Sequence, residues 1–210
     1  MCCGGRPPPK RAGRGKCIIP RVPLILASAS PRRAALLGDA GFAPVVRPAS
    51  VDERPHPGEP PAAHVGRIAT AKALAVTAPG DAWVVAADTI VVVDRSILGK
   101  PRDPEEAAGM LERLSGREHD VYTGVAVRRG GSVNVAVAVT RVWFRRLDAA
   151  TIRWYVESGE PMDKAGAYAI QGRGARFVER IEGSCSNVVG LPVAVVDELL
   201  RATGWVDPAR

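Results

Sequence analysis

Residues 24–37 read LILASASPRRAALL, a short apolar run followed directly by Ser-Pro-Arg-Arg and a leucine-rich helical pattern. A run of this length suits a strand buried on both faces. Ser30 then stands where a helix N-cap belongs, with Pro31 at the first helical position and Gly41 as the stop. The handover has chemical content as well. A helix start presents unpaired backbone N–H groups and a partial positive charge. Ser28 and Ser30 add hydroxyls, and Arg32 and Arg33 add forked guanidiniums that match phosphate oxygens. A plain cap with solvated arginines would look the same in isolation. Its place at the carboxyl end of a buried strand, where open α/β sheets bind ligands, favours an anion site.

The same alternation of strand-like and helix-like segments continues along the chain. Residues 44–46 read as a second strand, 62–78 as a helix, and 81–94 (DAWVVAADTIVVVD) as one or two buried strands interrupted at Asp88-Thr89. Residues 103–114 form the clearest helix: Asp103 caps it, Pro104 opens it and Glu106 completes a capping box. Ala107, Met110, Leu111 and Leu114 share one face. Residues 119–144 read as a long hairpin turning at Gly130-Gly131, and 148–160 and 191–204 as two further helices. The pattern predicts an α/β fold with a mixed sheet and flanking helices.

Two more segments carry polar groups in unusual places. Asp88 breaks an otherwise apolar run, so it is either buried and paired, metal-bound or functional, or a strand-end carboxylate facing water. Small residues around Lys164, Tyr168 and Gln171 in DKAGAYAIQG suggest backbone passing close to a ligand, or a glycine-bearing loop with a surface lysine. Other phosphate devices are missing. The Gly-Lys of SILGKP has no glycine five places earlier and no Ser/Thr after it, and GRGARF lacks the third glycine of a dinucleotide fingerprint. His56 and His64 fall in a polar loop and on a helix, where solvation is expected. His119 opens a strand and suits a structural hydrogen bond.

The net charge of +7 invites a nucleic-acid reading, but residues 1–22 carry six of those charges and no acid. The body is close to neutral. The tail also lacks the interleaved aromatics of a single-strand binder, so no nucleic-acid partner is expected. Residues 1–22 are expected to form a disordered basic extension and 23–206 the domain. Cys2, Cys3 and Cys17 lie in that tail and Cys185 stands alone in the body, which gives neither a disulfide framework nor a zinc site. A reducing cytoplasmic setting follows, and no apolar run is long enough to cross a membrane. The sequence leaves room for a homodimer.

In this order the segments resemble the Maf family of nucleoside triphosphate pyrophosphatases. The resemblance covers nearly all of 23–203. It rests on eight motifs in register: LASASPRRAALL, VDE, ADTIVVV, GKP, LSGREHDVYTG, VWFRRL, YVESGEPMDKAGAYAIQGRGARFVERIEGS and NVVGLP. It implies an elongated α/β fold of the Maf/ITPase-like kind, with two lobes around a nucleotide-binding cleft. It further implies hydrolysis of a nucleoside triphosphate to the monophosphate and pyrophosphate with a divalent cation, Mg²⁺ or Mn²⁺. By motif, Asp88 takes the place of the family's general base. Ser28, Ser30, Arg33, Lys72, Lys100 and Lys164 fall where the family gathers phosphate-binding groups. Glu53, with Asp88, takes the place of the metal carboxylates. Relatives often carry Glu-Lys-Ala in the second helix, where this chain has Ala71-Lys72-Ala73, so Glu53 and Asp88 must suffice here.

Three positions track specificity in the family. The branch acting on dTTP and UTP carries Arg, Thr and Gln, matched here by Arg32, Thr89 and Gln171. The branch acting on 7-methyl-GTP carries Trp, Gln and Glu. A glutamine amide offers one donor and one acceptor, which matches the carbonyl and N–H of uracil or thymine. A competing reading from the same resemblance is a nucleotide-binding regulator of cell division with little catalysis.

Overall fold

The computed structural model describes residues 22–206. The basic tail proposed for 1–22 therefore lies, except for Val22, outside the described residues. A seven-stranded mixed sheet runs in the order β2-β1-β3-β5-β6-β7, with β4 paired to β3 off this path. The strands are β1 (Leu24–Leu26), β2 (Val45–Val46), β3 (Trp83–Val93), β4 (Ser96–Leu98), β5 (Glu118–Arg129), β6 (Ser132–Phe144) and β7 (Val178–Glu182). β1 pairs β2 and β3 in parallel, and every other pairing is antiparallel. The helices are α1 (Pro31–Asp39), α2 (Pro61–Ala75), α3 (Pro104–Leu114), α4 (Ala149–Glu157), α5 (Cys185–Val189) and α6 (Val193–Ala202).

Of the one or two strands expected around Asp88-Thr89, the structure forms one, and it runs through that point without interruption. Its ladder with β5 runs through Asp88↔Gly124 and Thr89↔Thr123 without a shift. Ladder bonds use backbone groups alone, so polar side chains redirect what the strand faces without ending it. What changes at Asp88 is the core. Before it, Val85 and Ala87 pack with α1 and α6, and Val84 and Ala86 pack with α2. After it, Val91 and Val93 join a separate cluster with α3, α4, Phe144 and Phe177. The two lobes expected from the resemblance correspond to the pair of clusters on the two faces of the sheet before Asp88 and the single cluster after it, with β3 and β5 running through both.

Gly124, level with Asp88 on β5, sets how near α2 can lie. A Cβ there would sit 2.2 Å from the Val65 carbonyl oxygen, closer than any carbon can approach. The bare backbone therefore lets α2 settle onto the sheet beside Asp88.

The remaining elements follow local rules, with small departures. Glycines 130 and 131 make the two-residue hairpin turn between β5 and β6. Asp103 accepts from the Glu106 amide at 2.8 Å, as a cap should. The box closes one residue early, because Glu106 Oε2 accepts from the Arg102 amide at 2.6 Å and pairs with its guanidinium. Asp103→Ala is expected to lower stability by about 1 kcal/mol, read as a lower denaturation midpoint with an unchanged slope. The short β4, β7 and α5 carry too few residues to show a period, and the sequence did not announce them.

Candidate active site

The end of β1, the start of α1, the middle of β3, one face of α2 and the segment 163–171 surround a cleft of about 800 Å³ beside Asp88. That volume is within the roughly 300–1,000 Å³ of ordinary ligand sites. All the sequence-derived candidates line it: Ser28, Ser30, Arg32, Arg33, Glu53, Lys72, Asp88, Thr89, Lys100, Lys164 and Gln171. They come from six separate stretches of chain.

Asp88 is buried, at 6% exposure, on the α2 side of β3. Its Oδ1 accepts from Lys72 Nζ at 2.8 Å, and the same ammonium lies 2.6 Å from Glu53 Oε1. A buried lysine is costly without opposite charge, and here two carboxylates share it. Each carboxylate keeps its second oxygen outside these contacts.

His64 corrects the sequence expectation. It is buried, not solvated, with Nδ1 at 3.1 Å from Glu59 Oε2 and Nε2 at 3.9 Å from Asp88 Oδ2. Arg67 grips Glu59 through two bonds of 2.6 and 2.7 Å and holds that carboxyl well below its usual range. The physical reason is the close docking of α2. Residues 64, 68 and 72 lie one helical face apart, and all three are buried against the sheet. That i, i+4, i+8 spacing with Lys72 was the available signal.

The opposite side of β3 presents Thr89 to α1. Arg33 donates to four protein acceptors: Gly190 O at 2.7 Å, Ala87 O at 2.8 Å, Thr89 Oγ1 at 3.0 Å and Ser28 Oγ at 3.2 Å. Burial pulls its pKa down, while Asp88 and Glu53 pull it back up. Arg33, which the resemblance sets among the phosphate-binding groups, ties α1, β3 and the α5–α6 turn together through these bonds. Thr89 also meets Thr123 Oγ1 at 2.9 Å. Ser30 occupies the N-cap position, yet its hydroxyl makes no cap bond, and the Ser28 hydroxyl accepts from the Ser30 amide instead.

Across the cleft, Arg32 pairs with Asp163 at 2.8 Å, and Lys164 donates to Asp163 and to the Glu160 carbonyl. Partial desolvation pushes the Asp163 carboxyl upward, but Lys164 and Arg32 outweigh it and hold it at about 2. Lys100 and Gln171 are exposed in the cleft. Behind this wall His119 Nε2 lies 2.8 Å from the Tyr168 hydroxyl, and burial lowers the histidine to about 4. Its role is the structural one expected.

The mixed sheet flanked by helices, with a cleft lined by Lys72, Asp88, Arg32 and Lys164 at its centre, defines an α/β protein with a charged cleft. The chain belongs to the Maf family, whose model, described as Maf-like protein, matches residues 23–203. It is 57% identical over 189 residues to a dTTP/UTP pyrophosphatase of Anaeromyxobacter dehalogenans (strain 2CP-C), covering 88% of this chain and 96% of that one. A protein of the same name from Myxococcus xanthus (strain DK1622) is 54% identical over 189 residues, covering 89% and 95%. One from Pelotomaculum thermopropionicum is 50% identical over 185 residues, covering 87% and 97%.

Proposed function

We infer that this protein hydrolyses dTTP and UTP to the monophosphate and pyrophosphate, with water attacking the α-phosphorus. The observation that carries the reading is Asp88. A buried carboxylate that lines the cleft, held by Lys72 through Oδ1 and with Oδ2 3.9 Å from His64 Nε2, suits a base that orients water and takes its proton. The new bond joins the water oxygen to the α-phosphorus. The bond from that phosphorus to the bridging oxygen breaks, and pyrophosphate leaves. Lys72, Lys100, Lys164 and the hydroxyls of Ser28 and Ser30 offset charge on the phosphates. Arg33 acts through Thr89 and the Gly190 carbonyl as a positioning residue. Arg32, Thr89 and Gln171 face the base. The relatives named above support the substrate class.

Glu53 and Asp88 supply the oxygen donors that a divalent cation takes, and the Lys72 ammonium lies between them at 2.6 and 2.8 Å. Among the described residues no group of three or more His, Cys, Asp or Glu gathers to hold a metal. Glu53 and Asp88 stand as a pair, bridged by Lys72. Magnesium and manganese accept such a site, because substrate phosphates and waters complete the shell. Bound there, the ion would neutralise charge on the phosphates.

The reaction belongs, in this reading, to the cytoplasm, with a free nucleotide as partner. Among the described residues no helix is long and apolar enough to cross a membrane. A regulator that only bound nucleotide would have no use for a buried carboxylate lining the cleft.

The test is a nucleotide panel with Mg²⁺ or Mn²⁺, assayed with and without inorganic pyrophosphatase. Phosphate should appear from dTTP and UTP only when that enzyme is added. Phosphate released without it would mean cleavage at the terminal phosphate and would sink the proposal. A protein beginning at Pro23 should give the same rates, since every candidate group lies beyond that residue. Loss of activity in a truncated protein that still folds would place part of the site in the tail.

A further inference from the structure

Gln171 sits in the middle of a loop held downstream by the Glu160 carboxylate and upstream by the Tyr155 hydroxyl that the same carboxylate accepts from. Glu160 opens the 3-10 turn Glu160–Asp163, directly after Gly159 in the left-handed region at φ 72°. Its Oε1 accepts from the Tyr155 hydroxyl at 3.0 Å and from the Gly174 amide at 3.2 Å. Its Oε2 accepts from the Arg173 amide at 3.1 Å. The Tyr155 oxygen in turn accepts from the Ala169 amide at 3.1 Å. Gln171 is therefore anchored two residues upstream and two residues downstream, while it lines the cleft. The Glu160 carbonyl also accepts from Lys164 Nζ at 2.7 Å. One residue thus ties the base-facing loop to a phosphate-facing lysine.

The loop closes tightly on this acid. A Cβ on Gly172, at φ 84°, would lie 3.0 Å from a Glu160 carboxylate oxygen. A Cβ on Gly174 would lie 2.4 Å from the Ala169 carbonyl and 2.8 Å from the Tyr155 hydroxyl. Glycine at both places is what lets the backbone wrap the carboxylate. Tyr155 is itself rigid, fully buried and edge-to-face with Phe177 at 4.8 Å. The support behind Gln171 is core, and its front is open.

We propose that Glu160, backed by the Tyr155 hydroxyl, is a positioning residue for nucleotide selection, setting the angle at which Gln171 meets the base and Lys164 meets the phosphates. This rests on the pyrimidine reading above. Selection by a pair of hydrogen bonds depends on orientation, so a loosened loop should lose preference before it loses chemistry.

Glu160→Gln keeps the shape but turns one acceptor oxygen into an NH₂ donor facing backbone N–H groups. The kcat/KM for UTP should fall about tenfold or more, as for other small displacements of a substrate-positioning group. The rise in KM should exceed the fall in kcat, and the preference for UTP over 7-methyl-GTP should narrow. Tyr155→Phe removes only the hydroxyl's two bonds and should act in the same direction, more weakly. Thermal melting and hydrogen exchange of the 169–174 amides are followed in both variants. Faster exchange at Arg173 and Gly174 together with narrowed preference supports the proposal. A lowered melting temperature with wild-type preference retained makes Glu160 a structural residue only and overturns it. Should Glu160→Gln fail to fold, Tyr155→Phe decides alone. A wild-type protein without preference for UTP over 7-methyl-GTP overturns the pyrimidine reading itself, and this device with it.

Discussion

Asp88→Asn should lower turnover of UTP by about 10²- to 10⁴-fold, or about 3–5 kcal/mol of barrier, while the protein folds and binds nucleotide. The asymmetry follows from the two sides of the carboxylate. Its Oδ1 accepts from Lys72 at 2.8 Å, and an asparagine carbonyl can accept the same bond. The buried ammonium keeps a partner, and Glu53 at 2.6 Å remains as well. Packing is preserved because the two side chains are nearly isosteric. What disappears is the basic oxygen Oδ2, which lies 3.9 Å from His64 Nε2. Saturating kcat with Mg²⁺ measures the loss. Calorimetry with a non-hydrolysable α,β-methylene analogue checks that binding survives. A variant keeping most of its wild-type turnover would exclude Asp88 as the base and leave the proposed chemistry without its centre.

How much of this was legible beforehand depended on whether the signal was local. The helix opening at Pro31, the Gly130-Gly131 turn and the capped helix after Asp103 each show their period or punctuation within a few residues, and all form where expected. Asp88 was legible as an anomaly, a carboxylate in an apolar run. What it meets was not. Lys72 and His64 reach it because Gly124, more than fifty residues away in sequence, lets α2 dock closely, and no window of sequence links those positions. Arg33 shows the same limit. Two adjacent arginines look alike on paper, yet the helix turns one toward Asp163 and the other into a cage of protein acceptors. Glu160 reads as the last residue of the helix expected over 148–160, but that helix ends at Glu157 and the chain returns at Arg173 and Gly174 to wrap the acid.

Gln171→Glu should move the preference away from pyrimidines. Uracil and thymine present a carbonyl acceptor beside an N–H donor, and the glutamine amide can answer both. A carboxylate answers only the donor and sets an acceptor against the carbonyl. Losing a matched hydrogen bond and leaving unpaired groups facing each other costs about 1–3 kcal/mol, roughly 5- to 150-fold in kcat/KM. The cost rises if the new charge is buried by the bound base. Guanine-type bases offer two donors side by side, so the same carboxylate should spare or improve them. The position is well chosen for a single change, because Gln171 is exposed in the cleft. The other two selectivity positions are less clean. Arg32→Trp would cut the ion pair to Asp163, and Thr89→Gln would break the hydroxyl's contacts with Arg33 and Thr123. Full conversion needs all three, since a base pocket selects by shape as well as by one pair. The decisive quantity is the ratio of kcat/KM for UTP to that for 7-methyl-GTP, before and after the single change. A fall of about tenfold or more, consistent with one mismatched hydrogen-bond pair, supports the glutamine as the group that reads the base. A ratio that does not move would mean the base is read elsewhere in the cleft, and the pyrimidine assignment would lose its physical basis.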